Sequence, residues 1–490
     1  MVSESEAARC PGLFDPTTAQ DGILARLRVP GGRLSAAQCH AIADIADHLG
    51  NGTVQITNRA NIQLRGLKAP LSNTELAVLQ QLGLAAATVA LDAMRNIMTS
   101  PTAGIDAQAL LDTRALVQAW QQHLETQAPF TGLSPKFSVC FDGGEAVYVG
   151  DRPNDITLVA AEVDGQVCLR LHLSMGQRGD LPQDTGLWIE PQDCIPLLVA
   201  LTEVYSLYSQ QQPSTPSPPR LRKLLREWGL AAYLEAVETR IPGLLQRTPA
   251  AWSRPPVVPD AHLGVHAQKQ PGQCYLGIAL PLGQVQTLQL RTIAALAAEY
   301  GNAEVRLTPW QTLLLPHIPQ AGVPTVVQQI QALSLACAAN APSSTIVACS
   351  GTTGCRSAVA NTQQHGLALI AHLERCIELD TPLNIHLSGC EKSCAQHHCQ
   401  GITLVAEANS QNTQQPLEEA YRVYVGSEGS PFGKQLYARC PATQVPILVE
   451  AMLRTYRLQR HNAAESFAAF ANRQEMAEFR QGVDAILGQE

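Results

Sequence analysis

The sequence predicts an α+β fold built twice over. Three observations lead there: a gap-free internal repeat, a strand-helix-strand order inside each copy, and two cysteine pairs confined to the second copy. The stretch Val29-Pro-Gly-Gly-Arg-Leu-Ser-Ala-Ala-Gln38 aligns with Leu280-Pro-Leu-Gly-Gln-Val-Gln-Thr-Leu-Gln289. The same offset runs on through Ile42 and Ile293, Gly50-Asn51 and Gly301-Asn302, and Thr57 and Thr308. Self-similarity of this kind fixes domain organisation better than composition does, because each copy must be one supersecondary unit.

Within a copy, an apolar strand ends at Pro30 or Pro281. A helix then runs to Gly50 or Gly301, with Leu34, Ile42, Ile45 and Leu49 near helical spacing and glycine in the C-cap position. A second strand follows over residues 54–64 or 305–315, rich in β-branched and apolar residues. Strand, helix and strand within so short a span make half of a ferredoxin-like unit. The expected division is a ferredoxin-like half at 1–75, a larger α+β domain without a cluster at 76–208, a linker at 209–219, a second ferredoxin-like half at 220–320, and an α+β domain with a cluster at 321–490. The linker rests on Gln, Pro and Ser, which no packed element tolerates in such number. Beyond it, Arg220-Leu-Arg-Lys-Leu-Leu-Arg-Glu-Trp228 reads as an amphipathic helix with a charged face, open to two roles, surface packing or partner binding.

With 490 residues, 45% hydrophobic and 16% charged, the chain has the composition of a globular protein large enough for two or three cores. A net charge of -8 with scattered Lys and Arg argues against nucleic acid or an anionic membrane as partner. Met1 to Arg9 lacks the basic start and apolar stretch of a secretory signal, and no run approaches the ~20 apolar residues that span a bilayer. The expectation is a cytoplasmic protein, whose 14 cysteines stay reduced and available to metal.

Four of those cysteines form a pattern: Cys349-Ser-Gly-Thr-Thr-Gly-Cys355, then Cys390-Glu-Lys-Ser-Cys394. Four thiolates from two loops can surround a [4Fe-4S] cubane, and Gly351, Gly354 and Gly389 let backbone N–H groups approach the sulphurs. Structural zinc is the rival reading, but it favours closer cysteine spacing than the first pair offers. Cys399 is near enough to replace a ligand, while Cys10, Cys39, Cys376 and Cys440 read as structural. At nearly the repeat offset, Thr99 falls opposite Cys349, Gly104 opposite Cys355 and Cys140 opposite Cys390, so the first copy has lost its cluster.

On these residues the chain resembles the siroheme-dependent sulfite and nitrite reductases over nearly its whole length. Thr57-Asn-Arg59-Ala-Asn-Ile-Gln63, Arg95-Asn-Ile-Met98 and Pro135-Lys136-Phe137 extend the likeness. It is also similar to the precorrin-3B synthases, the oxygen-dependent branch of that superfamily. That likeness lies in Cys10-Pro-Gly-Leu, Asp21-Gly22, Arg26-Leu-Arg-Val-Pro-Gly-Gly32, Asn58 to Gly66, Arg306-Leu-Thr-Pro-Trp310 and Ser388 to Ala395. The resemblance implies a duplicated nitrite/sulfite reductase-like architecture with one [4Fe-4S] cluster. One departure separates the branches: the reductases place a second Lys two positions after the first, whereas here Lys136 is followed by Phe137 and Ser138. A site for sulfite or nitrite is then one cation short, which turns the expectation toward the synthase. Glu391 and Ser393, inside the second cysteine pair, depart in turn from the synthase pattern.

The activity so implied is hydroxylation and lactone formation on precorrin-3A, an anionic tetrapyrrole, giving precorrin-3B in cobalamin biosynthesis. It would use O2, a reduced electron donor such as NADH, and a non-haem iron with His and carboxylate ligands, for which His386, His397 and His398 are candidates. Arg59, Arg95 and Lys136, with Arg65 behind them, are the expected clamps for the tetrapyrrole carboxylates. The alternative is a siroheme-dependent sulfite or nitrite reductase, and a non-catalytic iron-sulphur carrier is a third reading. No individual catalytic residue emerges from the sequence.

Overall fold

The computed structural model describes residues 11–127, 130, 132–177, 179–212, 218–247, 252–396, 401–407, 418–428 and 430–488. The chain divides into two units. The larger comprises Ile23–Gly277 and Val285–Gln328 with the N-terminal segment, and the smaller is mainly Gln329–Glu490.

In the larger unit the repeat is visible element by element at an offset of 251 residues. Helix Ala36–Leu49 is matched by Thr287–Tyr300, and strand Thr53–Ile56 by Glu304–Leu307. Both helices begin with a capping box, at Ser35 with Gln38 and at Gln286 with Gln289, which satisfies N–H groups left open by the first turn. The left-handed backbone positions repeat as well: Ala60 at φ 52° answers Gln311 at 63°, and Gly52 at 73° answers Ala303 at 60°. A non-glycine residue tolerates this conformation only where the surrounding fold imposes it.

The two small sheets exchange edge strands. The first, ordered Thr17–Ala19, Gly22–Leu27, Ile62–Leu67 and Thr53–Ile56, ends on Gln284–Gln286 from the second repeat. The second, ordered Gly264–Ala267, Gln273–Ile278, Leu313–Pro319 and Glu304–Leu307, ends on Arg33–Ser35 from the first. Paired hydrogen bonds seal the exchange: Ala36 N–H donates to Ala303 O at 2.9 Å, and its counterpart Thr287 N–H donates to Gly52 O at 3.0 Å. Neither ferredoxin-like half completes its sheet alone, which explains why most of both lies in one unit.

The stretch expected as one long strand at 54–64 is a hairpin. Thr57 Oγ1 accepts from Arg59 N–H and Asn61 N–H, and Ala60 N–H returns to Thr57 O at 3.0 Å, so the chain reverses before Ile62. Thr308 does the same for Trp310 and Thr312.

The larger unit also holds a six-stranded sheet ordered Gln246–Arg247, Gln183–Ile189, Gln166–Leu173, Ile156–Val163, Val139–Asp142 and Ile97–Thr99. Its core is built from Trp120, Phe141, Leu158, Leu171 and Tyr205. Helices Leu221–Trp228 and Leu230–Glu238 bury Leu221, Leu224, Tyr233 and Val237 in that core. The first large domain therefore continues beyond the Gln/Pro/Ser stretch, whose residues 213–217 lie outside the described residues. The amphipathic segment thus packs through its leucines, with Arg220 bonded to Asp155 at 2.9 Å.

The smaller unit carries a five-stranded sheet ordered Ile346–Ala348, Ile385–Ser388, Gly401–Glu407, Ala420–Gly426 and Lys434–Pro441. Its first three strands run parallel and the rest antiparallel, the pattern that the six-stranded sheet follows from Ile97–Thr99 onward. Leu369, Leu373, Leu404, Val423, Phe470 and Phe479 fill its core.

Shared register corrects the expected alignment of the cysteines. Ile97 pairs with Val139 as Ile346 pairs with Ile385, so the offset falls from 249 on the first strand to 246 on the second. On this register Ser100 stands opposite Cys349, and Gly144 opposite Cys390. Cys140 corresponds instead to His386, inside a strand, and is fully buried. The first copy still offers no thiol at either ligand position. Among the described residues, no helix is long and apolar enough to cross a membrane.

Candidate metal centre and basic corner

Two adjacent parallel strands of the smaller unit deliver the cysteine loops to one place. Cys349 follows Ile346–Ala348 and Cys390 follows Ile385–Ser388, with Ala348 beside Leu387 in the ladder. Parallel neighbours bring both loops to the carboxyl end of the sheet, where open α/β sheets place ligands. Cys355 closes the short turn Gly351–Gly354, its N–H returning to Gly351 O at 2.9 Å.

The loops are laced together before any metal is considered. Val359 N–H donates to Gly389 O at 2.9 Å, and Lys392 Nζ to Ser357 Oγ at 2.8 Å. Gly389 N–H donates to Cys349 Sγ at 3.1 Å, so a thiolate there already has a backbone donor. A side chain at Gly389 has no room: its Cβ would stand 2.7 Å from Ala358 Cβ and 3.3 Å from Cys349 Sγ. Thr362, opening helix Thr362–Cys376, donates Oγ1–H to Cys349 O at 2.7 Å, and Gln363 Nε2 donates to the same carbonyl at 2.6 Å. Cys349, Cys355 and Cys390 are half-buried and Cys394 is exposed. A soft donor set, a glycine cradle and an N–H aimed at sulphur fit an iron-sulphur cluster, and Cys349, Cys355, Cys390 and Cys394 are the residues that would hold it.

Glu391 bonds to Arg422 at 2.8 Å, which offsets the negative charge it would bring to a cluster. His386, one of the expected iron ligands, is fully buried within its strand. His397, His398 and Cys399 lie outside the described residues, as does Cys10. Cys39 and Cys440 are buried as expected of structural cysteines, but Cys376 is exposed.

In the larger unit the three basic motifs meet in one corner, joined by two asparagines that the sequence reading passed over. Asn61 Nδ2 donates to Asn96 Oδ1 at 3.2 Å, and Asn96 Nδ2 donates to Pro135 O and Phe137 O at 3.3 and 3.2 Å. Asn61 Oδ1 also accepts from Val29 N–H at 2.8 Å. Their signal in the sequence was their repetition beside the arginines, in Arg59-Ala-Asn61 and Arg95-Asn96. Arg59, half-buried on the hairpin turn, donates to Lys136 O at 3.1 Å and Pro153 O at 3.4 Å, so Arg59 and Lys136 share one surface. Arg65 is half-buried on strand Ile62–Leu67.

Arg95 departs from the expected clamp. It is 3% exposed, donates to Gly83 O at 2.5 Å, and lies 3.6 Å from Asp92, which also pairs with Arg28 at 3.1 Å. Burial pulls its pKa down while the Asp92 charge pulls it up, and the net shift is downward. Its cation serves a buried ion cluster of the fold. Ser138, where a second lysine would stand, donates its N–H to Asp155 at 3.1 Å, and Phe137 before it is 1% exposed.

The hairpin of the second repeat places Trp310 where the first places Arg59. Its ring stacks on His262 at 4.4 Å and lies 4.9 Å below the Arg152 guanidinium. Burial, with Arg152 adding to it, pushes the His262 pKa down to about 3, so this imidazole is neutral.

Comparison with known proteins identifies two kinds of segment in the chain. Residues 90–243 and 341–490 match the nitrite and sulphite reductase 4Fe-4S domain, and residues 17–70 and 266–333 match the nitrite/sulfite reductase ferredoxin-like half domain. The ferredoxin–nitrite reductase of Synechococcus elongatus is 31% identical over 85% of this chain and 82% of its own. That of Leptolyngbya laminosa is 30% identical over 81% and 79%. Sulfite reductase [ferredoxin] 2 of Mycolicibacterium paratuberculosis is 26% identical over 94% of this chain and 83% of its own. The solved NirA protein of Mycobacterium tuberculosis shares the fold, with a TM-score of 0.79 at 24% identity over 94% of this chain and 85% of that one. With its duplicated ferredoxin-like halves and its 4Fe-4S domain, the chain belongs to the nitrite and sulphite reductase family of oxidoreductases.

Proposed function

We propose that this protein reduces a small oxyanion, nitrite or sulfite, as a siroheme- and [4Fe-4S]-dependent reductase. The observation that carries the reading is the cysteine centre: two loops tied to each other, with a backbone N–H already donated to Cys349 Sγ. The names and coverage of the relatives support the reductase over the oxygenase expected from Ser138. When bound, the cluster and siroheme together supply electrons one at a time at low potential. The chain's own residues hold and tune them. Gly389 N–H and the loop backbone stabilise thiolate charge, Arg422 neutralises Glu391, and Arg59 and Lys136 offer cations to tetrapyrrole carboxylates or to the anion. The electron donor in this reading is a ferredoxin, as named for the relatives, in place of NADH.

A second reading keeps one specific observation on its side. Ser138 is committed to Asp155 and brings no charge, so an oxyanion site at this corner would be one cation short of what the reductase resemblance implies. That favours precorrin-3A as ligand, oxidised with O2 at a non-haem iron to precorrin-3B. The absorption spectrum of the anaerobically purified protein separates the two. Haem-type bands beside the broad cluster absorption, with nitrite or sulfite consumed under reduced ferredoxin, carry the first reading. Cluster absorption alone, with precorrin-3A gaining oxygen by mass spectrometry, carries the second.

A further inference from the structure

Away from the cysteine loops, three metal-ligating side chains converge on two packed helices of the smaller unit. His372 and Cys376 lie four residues apart on helix Thr362–Cys376, hence on one face, and Glu450 reaches them from helix Val445–Gln459. One ligand atom from each lies within 4.8 Å of the others. A ring nitrogen of His372 stands 2.6 Å from Glu450 Oε2. The second oxygen, Oε1, accepts from Arg454 Nε at 2.8 Å. Glu450 is 4% exposed, while Cys376 opens to solvent. Hydrogen bonds account for His372, Glu450 and Arg454 but give the Cys376 thiol no part.

We propose that His372, Cys376 and Glu450 bind a zinc ion, three protein ligands leaving a fourth position to water. Imidazole, thiolate and carboxylate together suit a borderline-soft dication and disfavour calcium or magnesium, which take oxygen ligands. Around a tetrahedral ion with bonds of about 2.0–2.3 Å, neighbouring ligand atoms sit roughly 3.3–3.8 Å apart. The three side chains need only small rotations to reach that spacing, the His372–Glu450 pair opening by about 0.7 Å. Arg454 steadies the far oxygen of Glu450, the outer contact that orients a ligating carboxylate. The site has a structural consequence for the redox centre. Helix Thr362–Cys376 starts at Thr362, which holds Cys349 O at 2.7 Å, and ends at Cys376, so zinc at its last turn ties the support of the cysteine loop to helix Val445–Gln459.

The test uses the full chain, purified anaerobically with iron and sulphide counted, freed of loosely held metal by a chelator, and titrated with Zn2+ by calorimetry. The expected result is one zinc per chain without loss of iron, together with a higher Tm. Cys376→Ser and His372→Gln should each weaken that binding at least about tenfold and abolish the Tm gain, with iron and sulphide unchanged. Because Cys376 is exposed, serine there leaves the core packing alone. No zinc uptake by the parent protein, or equal uptake and equal Tm gain in both variants, overturns the proposal.

Discussion

Arg33 of the first repeat and Glu304 of the second form an ion pair at the strand exchange, where Glu304 lies opposite Ser35 in the antiparallel register. Glu304 also holds Arg306, whose Nε is 2.5 Å from its Oε1, and Arg306 donates in turn to Pro101 O and Ala103 O at 2.8 Å. One carboxylate thereby joins both repeats to the loop that follows the six-stranded sheet's edge.

Burial alone would raise the Glu304 carboxyl, but the Arg33 hydrogen bond and the Arg306 charge overcome it and hold the pKa at about 2, against an ordinary 4.5. A depressed pKa gives stability that is present above about 4.5 and lost as pH falls through about 2. The shift corresponds to about 3 kcal/mol at neutral pH. Glu304→Gln should lower the urea midpoint at pH 7, and the gap to the parent should narrow steadily below pH ~4.5. A gap that stays constant down to pH ~3 contradicts this role.

Arg59 and Arg95 should behave differently despite their similar motifs. Arg59 sits on a half-buried turn beside Lys136, so Arg59→Ala should weaken binding of a uroporphyrin at least about tenfold with stability nearly intact. Arg95→Ala removes a cation from the buried Asp92 cluster and should destabilise the protein by about 3 kcal/mol or more. Porphyrin titration and chemical unfolding of both variants check the contrast. If Arg59→Ala binds as tightly as the parent, the clamp lies elsewhere.

Gly389→Ala probes the sulphur environment without replacing a ligand. The added Cβ meets Ala358 at 2.7 Å, so the loop must shift and the N–H donor to Cys349 Sγ moves with it. Losing a donor to a cluster sulphur destabilises the reduced form, and the midpoint potential should become more negative. Redox titration followed by electron paramagnetic resonance reads this, and an unchanged potential at full iron content would show that the donor does not reach the cluster.

Much of this architecture could be read in the residues, and the exceptions have physical causes. Gly50-Asn51 and Gly301-Asn302 gave away the repeat because both helices end on the same turn. The strand exchange could not be seen, since nothing local in Arg33–Ser35 or Gln284–Gln286 names the sheet each joins. The hairpin at Thr57 was hidden because its left-handed residue is Ala60, where glycine or asparagine would have marked a turn. Cys140 was misaligned because the connection between the first two strands is three residues shorter in the second copy, as the change of offset from 249 to 246 records. Arg95 looked like its neighbour Arg59 in sequence, and only the packing of Asp92 and Arg28 around it shows that its charge is spent inside. His372 and Cys376 carried a helical i, i+4 signal, but Glu450 comes from another helix and completes the group only in space.

We assign one [4Fe-4S] cluster in the smaller unit to Cys349, Cys355, Cys390 and Cys394. Iron and acid-labile sulphide per chain, measured on anaerobically purified parent protein and on Cys390→Ser and Cys394→Ser, test it most directly. Roughly four of each are expected in the parent, with loss of both the metal and the broad charge-transfer absorption in the two variants. Full iron and sulphide in both variants would contradict it.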